Sequence, residues 1–263
     1  MPIIPFASGK GGTGKTTNLL LTATELAEMG TTVTILDADP NQAAYGWSLL
    51  PNKHPNITVI GGYEPTKGRG EERIPVVNER TLKSFIDEYA TKSAFVLIDL
   101  EGSRGRMVLD AVGKSDFVVI PLKGSANDAI EADNVVALIK DAERVAKRKI
   151  PHALLYSMTS AAYVGASLAL VMADFRKAMI PAFQTQIVAR EAYISINFFG
   201  GGLMTLPKKG TGNIAAARQN ALLFIEELVT LLRNPSQLTE PPYMYAALDA
   251  DAEAAELMTE EVA

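Results

Sequence analysis

Short, continuously apolar runs alternate along the chain with longer stretches in which apolar residues recur every three or four positions. The runs fall at Ile3–Ala7, Thr32–Asp37, Ile57–Ile60, Phe95–Asp99, Phe117–Pro121, Ala153–Ser157 and Phe183–Val188. They are rich in Val, Ile and Leu without clean alternation, as strands buried on both sides are. The helical stretches are Thr16–Met29, Glu79–Thr91, Ser125–Lys147, Ala166–Met179 and Asn213–Leu232. This order predicts an α/β fold, a mostly parallel central sheet with helices on both faces. Gly30 is placed to end the first helix, since a left-handed residue costs glycine little. Two glycine-rich polar stretches, 61–73 and 200–212, read as loops. Beyond Asn234-Pro235 the pattern fades. The predicted organisation is one domain over 1–233 and a mobile tail over 234–263 that holds at most a short helix.

Composition narrows the chemistry. The 263 residues include no cysteine and two histidines, so disulfides, Cys-ligated zinc and iron–sulfur clusters are excluded and a His-based metal cluster is not expected. No basic segment followed by a long apolar run opens the chain, and no run approaches membrane-spanning length, so a cytoplasmic location is expected. The net charge of −5 is unevenly placed: the last thirty residues hold seven carboxylates and no Lys or Arg, which leaves 23 acids against 25 bases in the body. An acidic total therefore does not argue against an anionic partner.

The candidate chemistry begins at Gly9-Lys10-Gly11-Gly12-Thr13-Gly14-Lys15-Thr16-Thr17. It follows an apolar strand and opens a helix, the setting in which G-x-x-x-x-G-K-[ST] cradles phosphate. Glycines let backbone N–H groups turn inward, and the helix adds its positive end. In such a loop Lys15 reaches the β- and γ-phosphates and Thr16 ligates Mg²⁺. Downstream, Asp37 and Asp39 in Ile35-Leu36-Asp37-Ala38-Asp39-Pro40 and Asp99 in Phe95-Val96-Leu97-Ile98-Asp99 end two further strands. That is the edge where open α/β sheets bind ligands.

With Lys10 early in the loop, the string Lys-Gly-Gly-Thr-Gly-Lys-Thr-Thr resembles the deviant Walker A family of ParA and MinD partitioning ATPases and their relatives. The resemblance covers roughly residues 3–233. It implies ATP and Mg²⁺ as cofactors and a homodimer formed on ATP binding, in which Lys10 crosses to the partner's nucleotide. Asp39 would position or activate the attacking water, Asp37 would support the Mg²⁺ shell and Asp99 would hold the ion. The chain departs from the family's Asp-x-Pro-Pro after that last strand, with Asp99-Leu100-Glu101-Gly102-Ser103, and this, with the 39–47 stretch, resembles the VirC-type relative that serves T-DNA transfer. The missing cysteines set aside the iron-protein branch. The acidic C-terminus sets aside the MinD branch, which ends in a basic membrane-targeting helix. The resemblance further implies non-specific DNA binding, with Arg218 and Arg190 at family-like positions and Lys208 and Lys209 as local additions. A stimulating adaptor or centromere-binding protein would trigger slow hydrolysis. The alternatives are a nucleotide-gated adaptor that never touches DNA and a small-molecule ligase or kinase on the same fold.

Overall fold

The computed structural model describes residues 1–64, 74–100 and 105–243. Seven strands form one sheet: β1 Ile3–Phe6, β2 Val33–Ala38, β3 Ile57–Ile60, β4 Phe95–Leu100, β5 Val118–Leu122, β6 His152–Thr159 and β7 Ile187–Val188. Their spatial order is β3-β2-β4-β1-β5-β6-β7, and every neighbouring pair is parallel. The helices are α1 Lys15–Glu28, α2 Ala43–Ser48, α3 Leu82–Tyr89, α4 Arg106–Lys114, α5 Ala126–Ala146, α6 Ala166–Lys177, α7 Glu191–Phe199 and α8 Ile214–Arg233.

Period-2 geometry sends alternate strand residues to opposite faces. Ile4, Phe6, Val33, Ile35, Leu97, Val119 and Leu155 point to a core shared with α1, α7 and α8. Leu36, Val96, Ile98, Ile120, Leu154 and Tyr156 point to a second core under α3, α4, α5 and α6. With helices on both faces the central strands are buried throughout, which is why their sequences show no alternation.

Gly30 ends α1 with φ +87°, as its position predicts. Ser125 caps α5 and Lys147 closes it in a left-handed conformation. Three helices were not predicted from the sequence. α2 is one short turn-rich segment containing Gly46, α4 contains Gly113, and α7 reads Glu-Ala-Tyr-Ile-Ser-Ile-Asn-Phe-Phe, a composition that favours strand. The predicted strand Phe183–Val188 shrinks to β7, with Ala182 making only an isolated bridge to Leu154. The chain stays packed for a few residues beyond 233. Pro235–Thr239 form a 3₁₀ turn whose Leu238 is buried in the first core, and the Tyr243 carbonyl accepts from the Ala182 N–H, so packing holds the chain through Tyr243. The acidic residues 249–263 and most of the loop predicted over 61–73 lie outside the described residues. Among the described residues, no helix is long and apolar enough to cross a membrane.

Candidate nucleotide site

The strand order brings three loops together. β4 lies between β1 and β2, and its register pairs Asp99 with both Phe6 and Asp37. The loop after β1, the turn after β2 and the end of β4 therefore open on one patch at the carboxyl edge of the sheet.

Residues 9–14 fold into a loop tied from inside. The Ser8 hydroxyl donates to the Lys10 carbonyl (2.8 Å), and the Thr13 hydroxyl donates to Ser8 Oγ (2.9 Å). Gly14, at the N-terminus of α1, has φ +94°, a conformation that side chains rarely adopt. Gly9 has a different reason to be glycine: a Cβ there would lie 2.1 Å from the carboxylate of Glu131 on α5. Gly11 and Gly12 are exposed and Thr17 is half-buried one residue into the helix beyond Thr16.

Lys15 is buried at 6% side-chain exposure, with its ammonium 3.7 Å from Asp39 Oδ2. The other Asp39 oxygen accepts from the backbone N–H and side-chain amide of Asn41, at 2.8 and 2.9 Å. Thr16 donates its hydroxyl to Asp99 Oδ2 at 2.6 Å. Asp99 Oδ1 is buried and has no hydrogen-bond partner. An orphaned carboxylate oxygen beside a hydroxyl is a donor set that fits a hard, hydrated divalent cation. Among the described residues no group of three His, Cys, Asp or Glu could hold a metal by itself. A cation here would thus need phosphate oxygens and water to complete its shell.

Asp37 has other partners than an ion. Its oxygens accept from the backbone N–H groups of Tyr45 (2.8 Å) and Asp39 (3.2 Å), so it braces the turn that carries Asp39. Gln42 completes that brace: its amide donates to the carbonyls of Asp37 and Asp39, and its oxygen accepts from the Gly62 N–H. Gln42 was not singled out from the sequence. Its left-handed φ of 51° was the feature to find, and sequence spacing does not reveal backbone sign. Glu101 lies outside the described residues.

Burial pushes the Asp99 carboxyl up to about 7, with the neighbouring Asp37 adding to the rise and the Thr16 hydrogen bond opposing it. Burial likewise raises Asp37 to about 6, against the hydrogen bonds from Tyr45 and Asp39. A carboxyl raised in the folded state holds its proton longer than in the unfolded chain, so its share of stability is complete below the unfolded value near 3.8 and is lost as pH rises through about 7. Nucleotide-free protein should therefore melt at a lower temperature at pH 8 than at pH 5.5. Asp99→Asn should flatten that slope, as thermal melts of both proteins across this window would show. Parallel slopes would mean that the carboxylate is not desolvated.

The predicted DNA-contact residues divide. Lys208 and Lys209 are exposed, in the loop before α8. Arg218 instead donates through Nε to Glu25 of α1 at 2.9 Å, and Glu25 is fully buried. Arg190 sits at the N-cap of α7, where its buried Nε has no partner and its charge lies beside Tyr193. Lys208 and Arg218 border one concavity, but of the two Arg218 carries an ion pair to Glu25.

Residues 1–234 match the protein family described as VirC1 protein. Protein ParA of Rhizobium radiobacter is 34% identical over 224 residues, which is 85% of this chain and 94% of that protein. The ATP complex of Cyanothece McdA(D38A) superposes with a TM-score of 0.65 at 15% identity, over 87% of this chain and 96% of that one. Cobyrinic acid a,c-diamide synthase of Mycobacterium smegmatis with bound ADP and magnesium gives 0.60 at 16% identity, over 89% and 97%. The last two share the fold, and a diamide synthase among them shows that the fold alone does not choose the chemistry. The chain belongs to the VirC1 family, within the ParA/MinD-type P-loop ATPases.

Proposed function

We propose that the protein binds ATP with Mg²⁺, pairs with a second copy of itself in that state, and hydrolyses the nucleotide slowly to reset the pair while positioning DNA or a plasmid-linked cargo in the cytoplasm. The observation that carries this reading is the convergence of buried Lys15, Asp39, Thr16 and the orphaned Asp99 oxygen at the mouth of the loop. Thr16 and Asp99 would hold the ion, which when bound neutralises charge developing on the phosphates. Lys15 now faces Asp39, and a triphosphate would draw its ammonium away. Asp39 Oδ2 would then be available to orient a water, while Asn41 keeps the other oxygen fixed. Asp37 enters one step back, by holding that turn in place. Lys10 would act on the partner's nucleotide, so turnover would depend on pairing. Light scattering with ATP, ADP and neither tests the core of this: a doubled mass with ATP alone is expected, and equal masses would end it.

DNA contact is the finer part of the proposal, with a partner protein expected to stimulate hydrolysis. The Arg218–Glu25 pair favours the rival adaptor reading at that position, because an arginine committed to a buried carboxylate has less to offer a phosphate. Lys208 and Lys209 have no such structural duty among the described contacts, so Lys208→Ala with Lys209→Ala is the informative variant. Arg218→Ala would uncover Glu25 and confound folding with binding. DNA retention with ATP should fall steeply with salt and further in the double variant, since each neutralised phosphate releases counterions. No retention of DNA even at low salt would leave the adaptor reading.

A further inference from the structure

α8 has two faces, and among the described residues only one of them is covered. Ala217, Ala221, Phe224, Ile225 and Leu228 enter the first core. Residues 215, 219, 222, 223 and 226 recur at helical spacing on the other side. With the 3₁₀ turn Leu203–Thr205 and the loop after it, they line an open concavity of about 670 Å³. Leu206, Ile214 and Leu222 give it apolar walls, and Met204 and Leu223 stand 54% and 51% exposed on it. An exposed apolar patch rimmed by polar groups marks a surface that something else covers.

Charge selects the chemistry of the occupant. Lys208 and Arg218 border the concavity near the start of α8, and Glu226 borders it two turns further on. Arg218 is offset by Glu25 beneath it, whereas Lys208 and its neighbour Lys209 are exposed. A fitting segment combines apolar side chains with carboxylates and lacks Lys and Arg.

This chain carries such a segment and starts it close by. Residues 244–263 hold Asp249, Asp251, Glu253, Glu256, Glu260 and Glu261 and no Lys or Arg, with Leu257, Met258 and Val262 set among the last four carboxylates. Their starting point is fixed. The Tyr243 carbonyl accepts from the Ala182 N–H, the Pro242 carbonyl accepts from the Gln184 side-chain amide at 2.7 Å, and the turn Pro235–Thr239 packs on α8. From the end of α8 at Arg233 back to Leu223 is about 15 Å along the helix axis, whereas twenty extended residues span up to about 66 Å. The segment is therefore long enough to return over the concavity, and its tether keeps it at about millimolar effective concentration there.

We propose that the concavity between α8 and Leu203–Thr205 is the docking site of the chain's own residues 244–263. Leu257, Met258 and Val262 cover Met204 and Leu223, and the carboxylates around them face Lys208 and Lys209. The contact is intramolecular and withholds both lysines from other anions. It stands apart from the DNA reading, since the segment docks whether or not those lysines also meet phosphate.

The test uses the full chain without nucleotide, as a mixture of heavy- and light-isotope protein. A zero-length carbodiimide joins an ammonium to a carboxylate only where the two touch. Mass spectrometry should find Lys208 or Lys209 linked to a carboxylate between Asp249 and Glu261, within chains of one isotope. Leu257→Ser with Met258→Ser keeps every carboxylate and removes the apolar anchor. In that variant the links should fall and acylation of Lys208 should rise about three- to tenfold, the order by which lost apolar contacts shift a locally docked segment. Leu223→Ser, on the groove side and outside the core, should act alike, and the exposed Lys147 beyond α5 should change in neither. Links that join the two isotopes would assign the concavity to a second copy and overturn the proposal. So would the absence of links, or equal Lys208 acylation in all three proteins, which would leave the surface to a separate partner.

Discussion

Lys15→Ala should lower ATP turnover by about 10²–10³-fold, the scale seen when one preorganised charge is removed from a phosphoryl-transfer or oxyanion site. The expectation follows from where the structure keeps this ammonium. It is buried at the base of the loop, within ion-pair distance of Asp39, with Asp99 and Asp37 on the adjoining strand ends. It is the cation that offsets those carboxylates before any nucleotide arrives, and it would contact the phosphates in the ground state and the transition state alike. Both binding and turnover should therefore suffer. Lys15→Arg should rescue little, because a planar guanidinium does not fit a slot shaped for a compact ammonium. Turnover within a few-fold of wild type in Lys15→Ala would remove the loop from the chemistry.

Mixing two inactive variants gives the second large effect. Lys10→Ala and Asp39→Ala should each lose hydrolysis by about 10²-fold or more on their own. If Lys10 acts across the interface, a mixed dimer contains one site with an intact Asp39 and a Lys10 supplied by the other subunit. Equimolar mixing should then restore about a quarter of the wild-type rate, since half of randomly paired symmetric dimers are mixed and each has one complete site. If Lys10 acts in its own subunit, as its contact with Asp128 would permit, the mixture should stay as inactive as its parents. Monomer binding of Mg²⁺-ATP by Lys10→Ala separates lost chemistry from lost affinity.

The phosphate loop was legible because its chemistry is local. Glycine spacing, a preceding strand and a following helix all lie within thirty residues, and each constrains the backbone directly. The ends of β2 and β4 were legible for a related reason, an apolar run stopped by a carboxylate. The helices that escaped detection were short or carried β-branched and aromatic residues, and packing against the first core, not propensity, makes α7 helical. The partner of Arg218 was not legible, for a physical reason. A cation on the face of an amphipathic helix reads as solvent-facing until Glu25, 193 residues away, is known to lie beneath it.

By itself the sequence determined the parallel α/β fold with two-sided burial, the glycine-rich loop between β1 and α1 and the lack of thiols, because apolar periodicity, glycine placement and residue types are properties of the chain alone. Tertiary structure decided which carboxylate meets which cation. It gave Asp37 to a backbone turn, left one oxygen of Asp99 without a partner, tied Arg218 to α1 and set Lys10 on Asp128. Apart from the Asp37 turn, which is local, these placements come from strand order and helix docking, which bring Thr16 to Asp99, 83 positions away, and Arg218 to Glu25, 193 positions away, and electrostatic energy depends on distance in space rather than along the chain.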